Sequence, residues 1–188
     1  RCNWECLGKL EQKFGAQKRK GNPYAGLVVE PLLQGAAGMI AQPKDWLRQA
    51  AAIARAHGAL LLADEVMTGF GRTGSTFACH QEGVQPDFLA LAKGLTGGYL
   101  PMAATLTTQA VFDAFLGDYS EFKTFFHGHS FTANQLGAAA ARASLELLQD
   151  PASLRMRARL EQALQAELQQ LWSLPQVGDI RQVGLVAG

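Results

Sequence analysis

The sequence predicts an α/β fold: a mostly parallel sheet with helices on both faces. Two observations carry this expectation. Short apolar runs alternate with amphipathic, helix-like stretches along most of the chain. The runs themselves ("GLVVEP", "ALLLAD", "DFLALAKG") are apolar at consecutive positions, as in strands buried on both sides.

Taken in order, residues 1–14 read as an amphipathic helix. The basic residues clustered in 13–23 read as a solvated surface loop. Residues 26–31 form a short β-branched strand. Residues 42–58 form a helix with Pro43 in its first turn, Trp46, Leu47, Ala50, Ile53 and Ala54 on one face, and Gly58 at its end. Strands follow at 59–64, 87–94 and 102–108, then a long helix at 134–149. A second helix runs over 150–171, with Asp150 as N-cap, Pro151 at its first position, and Leu154, Leu164, Leu168 and Leu171 as a buried stripe. Residues 177–188 read as a strand pair. The first helix lacks a start signal and the last pattern stops midway, which predicts a piece of a longer protein.

Composition narrows the function classes. The chain has 188 residues, 48% hydrophobic and 18% charged, with a net charge of +1. That balance gives no electrostatic case for nucleic acid or an anionic membrane as partner. No apolar run approaches the roughly 20 residues that span a bilayer, and no signal peptide opens the chain. Cys2 and Cys6 lie close together, but no matching pair follows at zinc-ligand spacing, so the three cysteines read as reduced thiols in a cytoplasmic protein. His127 and His129 lack a third ligand at suitable spacing, and no metal is expected.

In open α/β sheets, ligands bind beyond the carboxyl ends of the strands. Asp64 ends one apolar run, and Lys93 follows another. Each alone has an ordinary explanation: an aspartate capping a turn, a lysine snorkelling to the surface. Together they suit pyridoxal 5'-phosphate, which binds covalently to a lysine and needs an acid beside its ring nitrogen. A carboxylate there favours the protonated ring nitrogen. A lysine desolvated after "LALA" would be held as a neutral amine, able to act as nucleophile and then as proton carrier.

The blocks "LLLADEVMTGFGRTG", "PDFLALAKGLTGGYLPMAATLTT" and "FFHGHSFTANQLGAAAARASLELL" resemble successive blocks of the class III (subgroup II) aminotransferases, and "VVEPLLQGAAGM" resembles the block upstream of them. The interval from Asp64 to Lys93 is similar to that family's. Within the family, "FFHGHSFTANQLG" and "MAATLTT" resemble its biotin-biosynthetic branch more than its ornithine-type branch. The resemblance implies the fold type I architecture of pyridoxal-phosphate transferases, related to aspartate aminotransferase. Residues 1–149 would form part of the large cofactor-binding domain, and residues 150–188 the connecting helix and the start of the small C-terminal domain.

The resemblance also implies roles. Lys93 would hold the cofactor, Asp64 would pair with its ring nitrogen, and Val66 would pack on the ring. Ser130, beside His129, would bind the phosphate. Gly128 would leave room for substrate, Arg72 would lie near a keto acid acceptor, and Glu30 would support the site. The implied amino donor is S-adenosylmethionine, with lysine used by some relatives. A homodimer with shared active sites is implied as well. Absent before residue 27 are the family's glycine/serine phosphate cup and its ring-stacking aromatic. Two other readings stay open: a class III enzyme acting on ω-amino acids or diamines, and a non-catalytic binding domain.

Overall fold

The computed structural model describes residues 2–188. Helix α1 (Glu5–Arg19) leads into strand β1 (Gly26–Val29) and a small antiparallel pair, β2 (Leu33–Gln34) with β3 (Ile40–Ala41). Helix α2 (Trp46–Ala56), β4 (Leu60–Asp64), β5 (Phe88–Leu91) and β6 (Ala104–Thr107) follow. Short α3 (Gln109–Asp113), long α4 (Gln135–Gln149) and α5 (Pro151–Gln170) precede the hairpin of β7 (Gln182–Val183) and β8 (Val186–Ala187).

The main sheet has the order β1-β4-β5-β6. β1, β4 and β5 are parallel, and β6 closes the edge antiparallel to β5. Residues paired across such a sheet share a face, and neighbours along a strand alternate between faces. Val29, Leu61, Ala63, Leu89 and Leu91 therefore point one way, and all are buried. They pack with Leu47 and Ala51 of α2 and Ala141 of α4 in one core. Phe14 of α1 joins Ala54 and Ala59 in a second, adjoining cluster.

The opposite face is barer: Val28 is 67% exposed and Leu60 40% exposed, and both core clusters lie on the other side.

Other boundaries shift for local reasons. α1 runs beyond residue 14 to Arg19, so Lys13, Lys18 and Arg19 of the basic cluster are helical. Phe14 explains it: buried against Tyr24 and His57, it needs a further turn to hold it. α2 starts at Trp46 instead of at Pro43. Its N-cap, Asp45, has φ +72, and its backbone N–H donates to Glu82 at 2.7 Å. Asp150 caps α5 as expected, its Oδ2 accepting from the N–H groups of Ala152 (2.8 Å) and Ser153 (3.0 Å). The leucine stripe of α5 is not buried: Leu154 and Leu171 are exposed, Leu164 and Leu168 half-buried, because no sheet lies beneath this helix. It rests on α4 and on the glycine-rich loop 69–74 through Arg157 and Glu161.

Candidate active site

Two polar groups stand at neighbouring strand tips. Asp64 is the last residue of β4 and lies opposite Ala90 of β5. It is half-buried, and its Oδ1 accepts from Val66 N at 3.0 Å, which leaves the other oxygen free. With Glu30 it lines a hollow of about 350 Å³ at the end of β1. Glu30 is held by Gly35, whose N–H donates to its Oε2 at 2.9 Å.

Lys93 lies three residues beyond Ala90. β5 stops at Leu91, and Lys93 opens a single 3₁₀ turn, Lys93–Leu95, at φ +45. The sequence predicts a desolvated strand end for this lysine. In the structure it is exposed. The strand ends at Leu91, short of the expected 94, and the turn places the side chain on the wall of a separate, open hollow of about 970 Å³. Met102, His129, Phe131 and Asn134 share that wall. Asp64 and Lys93 thus sit at the same end of adjacent parallel strands, each lining its own hollow.

The turn is anchored on three sides. Ser144 of α4 donates its hydroxyl to Gly94 O at 3.1 Å. Buried Thr96 donates to Leu100 O at 2.6 Å. Phe70, itself at φ +60, presses on Gly94 so closely that a Cβ there would lie 2.7 Å from Phe70 Cβ.

The remaining candidates are more dispersed. Val66 is half-buried and follows Asp64 directly. Arg72 is tied into its own loop and to the C-terminal hairpin: its Nη1 donates to Met67 O at 3.2 Å, and its carbonyl accepts from Leu185 N at 2.7 Å. Gly128, His129 and Ser130 are all exposed in an irregular segment. A Cβ on Gly128 would meet only Thr132 Oγ1, at an ordinary 3.5 Å. His129 Nδ1 accepts from Phe131 N at 3.1 Å, so its ring is turned onto its own loop. Ser130 does not cap the following helix; Asn134 does, accepting from Gly137 N at 2.9 Å. Among the described residues no cluster of three or more His, Cys, Asp or Glu could hold a metal. Among the same residues no helix is long and apolar enough to cross a membrane.

One residue of the site carried no role in the sequence reading. Glu65 is fully buried. Its carboxyl group accepts from Ala78 N (2.7 Å), Cys79 N (2.8 Å) and Thr68 Oγ1 (3.2 Å). Burial, then the neighbouring Glu65 carboxyl, pushes the Cys79 thiol up to about 12. The signal was the pleat itself. Positions 61, 63 and 65 share the buried side, so two successive acids at 64 and 65 must part, one to the ligand end and one into the core.

A polar pair at this end of a parallel sheet stands where α/β proteins bind their ligands. The sequence pattern of the aminotransferase class-III family matches residues 3–188, and the chain belongs to that family. It is 51% identical over 188 residues to the adenosylmethionine-8-amino-7-oxononanoate aminotransferase of Nitratidesulfovibrio vulgaris, covering 100% of this chain and 34% of that protein. It is 50% identical over 186 residues to the enzyme of the same name from Geobacter sulfurreducens, covering 99% of this chain and 40% of that one. The crystal structure of the Methanocaldococcus jannaschii adenosylmethionine-8-amino-7-oxononanoate aminotransferase superposes with a TM-score of 0.90 at 37% identity, over 97% of this chain and 42% of that one. An omega transaminase from Pseudomonas jessenii in complex with PMP gives 0.87 at 32%, over 96% and 39%. The chain therefore spans 34–42% of the length of these relatives.

Proposed function

We propose that this chain supplies the lysine-bearing part of a pyridoxal-phosphate transaminase. The reaction would move an amino group from S-adenosylmethionine to 8-amino-7-oxononanoate, giving 7,8-diaminononanoate for biotin synthesis. The observation that carries the reading is the placing of Lys93 and Asp64 at the carboxyl tips of adjacent parallel strands, in a chain half identical to enzymes so named. The donor set fits the cofactor: a primary amine with room in front of it, and a carboxyl oxygen free one strand away.

When bound, the cofactor supplies a ring that draws electrons from the bond breaking at the donor's Cα. Asp64, through the oxygen that Val66 N leaves free, holds the proton of the ring nitrogen. Lys93 Nζ takes the proton from Cα and returns it later in the cycle. The 3₁₀ turn, pinned by Ser144 and Phe70, fixes where that nitrogen swings from.

The other roles belong to the same proposal. Val66 packs on the ring, Ser130 and His129 serve the phosphate, and Gly128 and Arg72 lie toward the keto acid. Residues 1–149 form part of the large domain, and residues 150–188 lead to the small one. A homodimer covers the 119–131 segment, a reading supported by exposed aromatics: Tyr119 84%, Phe122 70%, Phe126 74% and Phe131 75%. The protein acts in the cytoplasm, with small molecules as its substrates.

The test is chemical trapping. The intact protein, loaded with pyridoxal phosphate and reduced with borohydride, should carry the adduct on Lys93 in a peptide map. Lys93→Ala should carry none and turn over no substrate. No adduct in the parent protein, or an adduct that persists in the variant, rejects the reading and favours a non-catalytic domain. A second reading, an ω-amino-acid or diamine transaminase, draws on the likeness to the Pseudomonas enzyme. A screen of amino donors separates the two.

A further inference from the structure

We propose that Glu65 is the positioning residue that fixes Lys93 relative to Asp64, an inference that rests on the transaminase reading above. Two sets of contacts converge on it, and a third carries them to the lysine turn. First, its backbone N–H donates to Ala90 O at 3.0 Å, one rung past the end of the β4–β5 register. That bond fastens the residue after Asp64 to the strand that ends just before Lys93.

Second, its carboxyl group is aimed the opposite way and closes the loop 66–77. It accepts from Thr68 at the start of that loop and from Ala78 and Cys79 at its end. Its carbonyl accepts from Gly69 N at 3.0 Å. A Cβ at Gly69 would lie 2.8 Å from that carbonyl oxygen, so the chain passes Glu65 at the closest approach a backbone allows.

Third, the loop so closed delivers Phe70 onto Gly94, beside Lys93. Phe70 stands at φ +60 between two glycines and is buried, with Phe77 stacked edge-on at 5.7 Å. A route of direct contacts therefore runs from Glu65 through Gly69 and Phe70 to Gly94. Glu65 is fully buried and lines neither the hollow of Asp64 nor that of Lys93. It acts by setting the two groups that do.

Both carboxyl oxygens accept hydrogen bonds from donors, so Glu65→Gln must aim an NH₂ at an N–H and lose at least one bond. The experiment is amide exchange on the cofactor-free intact protein, followed by steady-state kinetics on the loaded one. A role confined to the loop would raise exchange only near Ala78 and Cys79. A positioning role also raises it, by about tenfold, at Leu95 and Thr96, whose N–H groups bond back to Ala92 and Lys93. In the loaded enzyme, kcat falls by about tenfold while KM for the acceptor keeps its value, because alignment and not binding is lost.

Unchanged exchange at Leu95 and Thr96 overturns the proposal. So does an unchanged kcat. If Glu65→Gln does not fold, Thr68→Val removes one of the three bonds at nearly constant shape. It should give a smaller rise at the same two amides, and no rise overturns the proposal. A parent protein that forms no Lys93 adduct sinks the transaminase reading, whereas the exchange result still decides whether Glu65 holds the turn.

Discussion

Gly94 is where the glycine-rich loop meets the lysine turn, and Gly94→Ala is the sharpest probe of that contact. The new methyl carbon would lie 2.7 Å from Phe70 Cβ and 3.0 and 3.1 Å from two of its ring carbons. Ordinary carbon–carbon contacts sit at about 3.5–4.0 Å, so the overlap is on the order of 1 Å. Rotating Phe70 does not relieve it, because its Cβ is fixed by the backbone and its ring is walled in by Phe77. Either the loop or the lysine turn must give, at about 1–3 kcal/mol, the usual cost of overpacking. Urea unfolding of the intact protein measures it, read as a shift in midpoint at constant slope. The control is Phe70→Gly, which removes the offending Cβ at a position whose φ of +60 suits glycine; Phe70→Ala would keep that carbon. In the Phe70→Gly background, Gly94→Ala should cost less than about 0.5 kcal/mol, giving a coupling that accounts for nearly all of its effect. An equal cost in both backgrounds, or none in the parent, would refute the contact and with it the route from Glu65 to Lys93.

Asp150→Ala removes the cap that accepts two N–H groups at the start of α5, and should destabilise the intact protein by about 1 kcal/mol in thermal unfolding. Cys79 gives a pH prediction. Its thiol is raised from an ordinary 9.0 to about 12 in the folded state, so the folded protein holds that proton more tightly than the unfolded chain. Its contribution to stability is fully present below about pH 9 and is lost as pH rises toward 12. Urea titrations across that range should show stability falling in the parent and falling less in Cys79→Ala. In the same protein at neutral pH, iodoacetamide should label exposed Cys2 and Cys6 and spare buried Cys79 until the chain unfolds.

The order of strands and helices, the Asp150 cap, and the placing of Asp64 and Lys93 at the carboxyl ends of strands were legible in the residues alone. Such features rest on local rules: apolar runs, capping chemistry, and the end of the sheet where ligands lie. The family resemblance added roles that no local rule supplies. What local rules missed depends on contacts between distant segments. The end of β5 at Leu91 and the pressure of Phe70 on the Lys93 turn are such contacts. The bare face of the sheet at Val28 and Leu60, and the unburied leucines of α5, follow from which segments this chain brings to each side. Sequence periodicity says that a face is apolar; only packing says what lies against it. Glu65 stands between the two cases. Its side of the strand could be counted from the pleat, but its three donors come from positions 68, 78 and 79, which the folded loop alone brings to one point.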